Sequence, residues 1–247
     1  DAAPSYGESE LVLGQVLPTG ANIITKTIHI PDDAIGARQV ESIQNSFKQS
    51  LSRLGKNMIY GLLVHSADDL LKPGSDELYS WLKEKKDSGI IKKIGVSIYT
   101  AEQIDRIMEQ FPVDLIQLPL NILDQRLSQS GHVSYLKAAG VEIHVRSVFL
   151  QGLLLMGLHQ IPGYFKPYRN TLAKVHEEAR QRGLSALGLA LGFCINMPDI
   201  DKLVVGINNL SQFEEIVNAS KVHVDINELS YLASDELGLL NPSLWKN

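Results

Sequence analysis

The sequence predicts an α/β protein, specifically a (β/α)8 barrel of the TIM type. Short, β-branched, continuously apolar runs alternate with amphipathic helical patterns along almost the whole chain. The runs lack the apolar/polar alternation of a half-exposed strand, as expected of parallel strands covered on both faces. No G-x-G-x-x-G occurs, whereas the open, doubly wound alternative usually carries such a turn after its first strand.

The elements follow in order. A helical pattern at 8–17 precedes a strand at 22–27. Val40, Ile43, Phe47, Leu51 and Leu54 recur at three- and four-residue steps, so all five share one helix face. A strand at 58–65, a helix at 75–86 and a strand at 91–97 come next. Thr100 with Gln103 three residues on is a capping box, and the helix it opens buries Ile104, Ile107 and Phe111. Then come a strand at 115–118, a helix at 132–139 and a strand at 142–148. Residues 155–170, rich in Gly, Pro and aromatics, read as a loop and a candidate mobile lid. Helices at 171–182 and 185–196, a strand at 202–205 and helices at 210–219 and 226–237 complete the chain. With no internal repeat or linker, residues 1–247 read as one barrel domain, whose 225–247 helix and tail form a candidate substrate loop.

The bulk numbers exclude several function classes. The 247 residues are 44% hydrophobic and 21% charged, ordinary for a globular protein, with a net charge of -5. That charge gives no reason to expect nucleic acid, and no Lys/Arg-rich tract suggests a membrane surface. No apolar run reaches the roughly 18 residues of a spanning helix, and the first residues do not form a signal peptide. The single cysteine, Cys194, can build neither an internal disulfide nor a cysteine-based zinc site. A cytoplasmic protein without a metal is expected; its oligomeric state is not readable.

Barrel enzymes build their sites from the carboxyl ends of strands. Here nearly every apolar run ends in a polar group: Lys26, His65, Ser97, Gln117, Arg146 with Ser147, and Asn208 just past Gly206. Taken singly, each has an ordinary explanation. A lysine at a strand end is usually solvated, and a histidine there is usually a hydrogen-bonded packing residue. Their recurrence at one end of successive strands is what random surface polarity would not produce.

These residues sit in recognisable company. The opening DAAPSYGESE resembles the aldo-keto reductase signature Asp-Thr-Ala-x-x-Tyr-Gly-x-Ser-Glu, with Ala2 for the Thr. IITK is similar to the family's strand ending in its catalytic lysine, and SLSRLGKNMIYGLLVH to the segment ending in its catalytic histidine. KKIGVSIYT, DLIQLPLNILD, VRSVFLQGLLL and VVGINNLSQFEE resemble, in the family's order, its Gly-Val-Ser-Asn, Gln-containing, Ser-Pro-Leu-x-x-Gly-x-Leu and Pro-Gly-x-Lys segments.

The resemblance implies an NAD(P)H-dependent oxidoreductase that moves hydride between a nicotinamide and an aldehyde or ketone. Tyr6 would be the proton donor. A phenol, with a reference pKa of about 10, is too weak an acid at neutral pH unless its anion is stabilised. Lys26 would supply that charge, Asp1 would hold Lys26, and His65 would donate to the substrate carbonyl oxygen. Ser97 and Gln117 would bind the carboxamide, while Arg146 would stack beneath the ring in place of the usual aromatic. Ser147, Phe149 and Gly152 would lie along the pyrophosphate. Gly206, Asn208, Gln212 and Glu215 would surround the adenosine end, near a helix start whose dipole favours phosphate.

Several departures qualify this. Ile98 stands where the family usually has an Asn, losing a hydrogen bond of about 1 kcal/mol. Asn208 replaces a cation that commonly meets the 2′-phosphate, and Val205 replaces a Pro, so NADP(H) is expected with NAD(H) also a candidate. Ala2 for Thr is expected to matter little. Finally, Asp1 is where the second barrel strand should end, so the first strand, first helix and most of the second strand are absent. A longer gene product is therefore expected, since such a barrel would expose long parallel edges.

Two other functions remain open at this point. A catalytically weak, cofactor-binding regulatory or assembly protein on the same barrel is one. A lyase using Lys26 as a Schiff-base amine is the other, though it leaves Tyr6 and Asp1 without roles. The substrate is expected to be a small carbonyl compound, with a sugar or polyol carbonyl the guess, chosen by 151–169 and 239–247. Tyr164, Phe165, Tyr168 and Trp245 are candidates to line its mouth.

Overall fold

A computed structural model describes residues 1–245. They divide into two compact units, Asp1–Gln117 with Gly140–Glu142, and Leu118–Ala139 with the rest of the chain from Ile143. Of the tail at 239–247, the last two residues lie outside the described residues.

In the first unit, helix α1 (Ser9–Val16) is followed by strand β1 (Ile24–Lys26) and helix α2 (Ala37–Leu54). Strand β2 (Ile59–Val64) leads through α3 (Ala67–Leu71) and α4 (Ser75–Asp87) to β3 (Ile91–Ser97), α5 (Ala101–Gln110) and β4 (Leu115–Pro119, whose last two residues belong to the second unit). β1 pairs with β2, β2 with β3 and β3 with β4, every pair parallel. The strands are buried almost throughout, which accounts for their continuous apolar sequence.

The helices form where their patterns predict. α2 buries Val40, Ile43, Phe47 and Leu54, and Phe47 meets Trp81 of α4 edge-on at 5.7 Å. Gly55 ends α2 in the left-handed conformation, φ 61°, where a Cβ would be unfavourable. The capping box of α5 is formed: Thr100 Oγ1 accepts from the Gln103 N–H at 3.2 Å, and Gln103 Oε1 accepts from Thr100 N–H at 3.3 Å.

Helices α1 and α2 approach closely at Gly14, where a Cβ would lie 2.4 Å from Arg53 O. Gly14→Ala is therefore expected to destabilise the protein by about 1–3 kcal/mol through overpacking. A urea midpoint unchanged from wild type would contradict this.

The second unit holds α6 (Arg126–Gln129), α7 (His132–Ala138), β5 (Glu142–Arg146, whose first residue belongs to the first unit), α8 (Arg169–Gln181) and α9 (Ala186–Ile195). β6 (Lys202–Leu203), α10 (Leu210–Ala219) and α11 (Leu237–Leu240) follow. β5 and β6 are parallel, with His144 opposite Lys202. α9 is buried on nearly every side, so its sequence shows no amphipathic stripe.

Several stretches differ from the sequence expectation: β1 is three residues long where 22–27 were expected, and α3 and α6 were not expected. The 155–170 loop is built from 3-10 turns at Leu158–Gln160 and Gly163–Tyr168, and α8 begins already at Arg169. The strand at 202–205 is two residues long. The helix expected at 226–237 is broken. A 3-10 turn at Asn227–Leu232 ends at extended Ala233, Ser234 N–H donates to Leu123 O, and one turn of α11 follows. That tertiary hydrogen bond takes the place of a helical one.

Candidate active site

The residues of the first unit build the site from β1 outward. Ala2 N–H donates to Ile24 O at 2.9 Å, laying residues 1–3 beside β1, and Tyr6 follows in a turn closed by its N–H to Ala3 O. Lys26, the last residue of β1, is 2% exposed. Its Nζ donates to Asp1 Oδ1 at 2.7 Å, Asp1 Oδ2 at 2.9 Å and Ala2 O at 3.2 Å. Charge-assisted contacts of this kind are short and strong, and they fix the ammonium in place.

That ammonium lies 4.8 Å from the centroid of the Tyr6 ring. The Tyr6 ring in turn meets His65 edge-on, centroids 5.7 Å apart and planes at 87°. His65 follows directly after β2, and its N–H donates to Thr27 Oγ1 at 3.2 Å. The structure thus brings Asp1, Lys26, Tyr6 and His65 together in one chain of contacts. Tyr6 remains 47% exposed while Lys26 is enclosed, so the phenol is open to a solute and the ammonium is not. A Schiff-base role needs a free amine; here oxygen acceptors already engage the lysine's donors.

Ser97 and Gln117 are register partners at the carboxyl ends of β3 and β4, and both are buried. Gln117 Nε2 is fully enclosed and finds no acceptor among the described residues, in a protein interior where buried donors are normally paired. Ile98 is fully buried, and its N–H donates to Gln117 O.

In the second unit, Arg146 at the end of β5 and Ser147 and Phe149 after it are half-buried. Arg146 Nη1 donates to Ser147 Oγ at 3.4 Å. Ser147 (φ 62°), Leu150 (49°), Gln151 (56°) and Gly152 (84°) are all left-handed. Such a concentration in non-glycine residues is strain that typically marks a functional loop. Gly206 and Asn208 lie before α10, Gln212 in its first turn and Glu215 midway along it, and all four are exposed. Asn209 Oδ1 caps α10 by accepting from Gln212 N–H at 2.9 Å, while Gln212 Oε1 accepts from Asn208 N–H at 2.8 Å. Gln212 is thus already engaged as a cap. Tyr164 Oη donates to Gly238 O and Leu244 O, and Trp245 Nε1 to Leu239 O, so the two expected substrate segments are joined.

Two structural roles escaped the sequence. Thr27 and Asn121 each act through a single hydrogen bond to a backbone group distant in sequence, and the only signal was a polar residue just past a strand. Among the described residues, no three His, Cys, Asp or Glu side chains gather as a metal site. No helix among them is long and apolar enough to cross a membrane.

The model of the Aldo/keto reductase family matches residues 1–235. The chain belongs to the aldo-keto reductase family. Members of that family are NAD(P)H-dependent oxidoreductases of small carbonyl compounds. Among its relatives, the aldo-keto reductase YhdN of Bacillus subtilis is 26% identical over 246 residues, 87% of this chain and 72% of that protein. The L-glyceraldehyde 3-phosphate reductase of Escherichia coli is 26% identical over 227 residues, 80% of this chain and 65% of the relative. The chain therefore spans 72% and 65% of these two relatives' lengths. The holo form of the aldo-keto reductase AKR11C1 from Bacillus halodurans superposes with a TM-score of 0.76 at 19% identity, covering 95% of this chain and 82% of that one. That likeness establishes the aldo-keto reductase barrel fold.

Proposed function

We propose that the protein reduces the carbonyl of a small aldehyde or ketone, or runs the reverse reaction, with Tyr6 as the proton donor. The observation that carries this reading is the enclosed Lys26 ammonium, gripped by both Asp1 oxygens and held 4.8 Å from the Tyr6 ring centroid. A reduced nicotinamide, when bound, supplies the hydride. The residues of this chain do the rest.

Lys26 presents a fixed positive charge beside Tyr6, stabilising the negative charge that develops on the phenol as it gives up its proton. Asp1 acts through Lys26 and positions it. His65, whose backbone N–H is held by Thr27 Oγ1 and whose ring packs perpendicular to that of Tyr6, donates to the carbonyl oxygen and stabilises charge in the transition state.

The buried, unpartnered Gln117 amide fits a carboxamide oxygen, which would accept its hydrogen bond. Ser97 would take the other side of that group. Arg146, Ser147, Phe149 and Gly152 would contact the ring and pyrophosphate. Gly206, Asn208, Gln212 and Glu215 would contact the adenosine portion. NADP(H) is the proposed cofactor, with NAD(H) a second candidate, because Asn208 offers no cation to a 2′-phosphate. A small polar aldehyde is the proposed substrate class; the relative in E. coli is named for L-glyceraldehyde 3-phosphate, and glyceraldehyde is its unphosphorylated analogue. A cytoplasmic setting accords with the single cysteine, Cys194.

Titration with NADPH and NADH, followed by quenching of tryptophan fluorescence, tests the reading. Saturable binding of at least one is expected; binding of neither would overturn it. Asn208→Arg is expected to raise the preference for NADPH over NADH by about tenfold, the worth of one charge-assisted contact. An unchanged ratio would place the 2′-phosphate elsewhere.

A further inference from the structure

We propose that Asn121 is a positioning residue for the nucleotide loop, acting by holding Ser147 in its left-handed conformation. The inference rests on the reading that Ser147, Phe149 and Gly152 contact the cofactor.

Asn121 follows β4 and is fully buried. Its Oδ1 accepts from Leu123 N–H at 2.9 Å and Asp124 N–H at 3.0 Å. These contacts fix the amide's orientation, and its Nδ2 then donates to Ser147 O at 3.1 Å. One residue earlier on each segment, Leu120 N–H donates to Arg146 O at 3.2 Å. The Asn121 side chain thus bonds the carbonyl one step beyond the one that the Leu120 backbone bonds.

The step it reaches is where the backbone turns. Ser147 has φ 62°, a region disfavoured for a residue with a Cβ. Its carbonyl also accepts from Leu150 N–H, closing the turn that carries left-handed Leu150, Gln151 and Gly152. An unfavourable backbone persists only where its surroundings over-determine it. The Asn121 amide is the side-chain donor that does so, and it does so at the first of these residues.

A cycle of variants separates this role from general packing. Asn121→Asp keeps both acceptor contacts and replaces the donor to Ser147 O with a carboxylate oxygen that can only accept, so the bond is lost and a buried negative charge faces that carbonyl. Ser147→Gly removes the penalty of a left-handed φ. Loss of the donor is expected to weaken NADPH binding about tenfold and to lower the apoprotein Tm. In the Ser147→Gly background the same substitution is expected to cost much less in both, because glycine holds the turn unaided. If Asn121→Asp does not accumulate as folded protein, its recovery in the double variant is the same result. Equal losses in both backgrounds would make Asn121 a packing residue and overturn the proposal. No nucleotide binding by the wild-type chain, with the Tm cycle still coupled, would overturn the cofactor reading while leaving the hold on Ser147 intact. An uncoupled cycle would overturn the hold.

Discussion

Tyr6→Phe is expected to lower kcat for carbonyl reduction by about 10²–10⁴-fold, the usual worth of a positioned proton donor, while nicotinamide binding persists. The phenol touches the machinery at two points, the Lys26 ammonium and the edge of His65. Phenylalanine preserves the ring and both packing contacts and removes only the hydroxyl. Lys26→Met is expected to cost a comparable factor, since the charge that stabilises the deprotonating phenol is gone. Asp1→Asn is expected to cost less than either, because it acts through Lys26 and leaves one acceptor oxygen on it. Steady-state assays with glyceraldehyde check the order. A Tyr6→Phe variant as fast as wild type would remove the proton donor from the account.

Arg53→Met is expected to destabilise the protein strongly, by about 3 kcal/mol. Glu10 is 1% exposed. Its Oε1 accepts from buried Thr25 Oγ1 at 2.5 Å, and its Oε2 from Arg53 Nε at 2.8 Å. Removing the guanidinium leaves a carboxylate enclosed without its counter-charge, and that uncompensated charge carries the cost. The double variant Glu10→Gln/Arg53→Met is expected to regain much of the loss, since a neutral amide buries no charge. Urea unfolding of the wild type, Arg53→Met, Glu10→Gln and the double variant checks this, and additive losses would refute it. The cluster ties α1, which follows Tyr6, to β1, which ends in Lys26. It therefore supports both segments that carry the catalytic contacts.

The order of elements was legible because burial sets periodicity. Continuous apolar runs became parallel strands, and the five-residue stripe from Val40 to Leu54 became α2. The residues of the first unit were legible for a different reason. Lys26, His65, Ser97 and Gln117 each close or follow an apolar run, so the alternation of chemistry along the chain already placed them at strand ends.

What escaped is what depends on contacts distant in sequence. Glu10 reads as an ordinary acid on a surface helix, and only Thr25 and Arg53, from two other elements, make it a buried hub. Asn121 reads as a loop residue, and only the conformation of Ser147 gives its amide a task. The pattern at 226–237 is sufficiently helical, yet Ser234 donates to Leu123 O and breaks it. Propensity is a weak prior beside such tertiary bonds. The fully enclosed Gln117 amide was legible as a strand-end polar but not as an unpaired donor, which needs the whole surrounding shell.

The central claim is that these contacts catalyse hydride transfer to a carbonyl. It is tested most directly by following the loss of nicotinamide absorbance when the protein, saturated with NADPH or NADH, meets a series of small aldehydes beginning with glyceraldehyde. The account predicts multiple turnovers with at least one of them, abolished by Tyr6→Phe. A protein that binds the reduced cofactor tightly and consumes none across the series would contradict it, and would leave a nicotinamide-binding protein that keeps the geometry of a reductase without its chemistry.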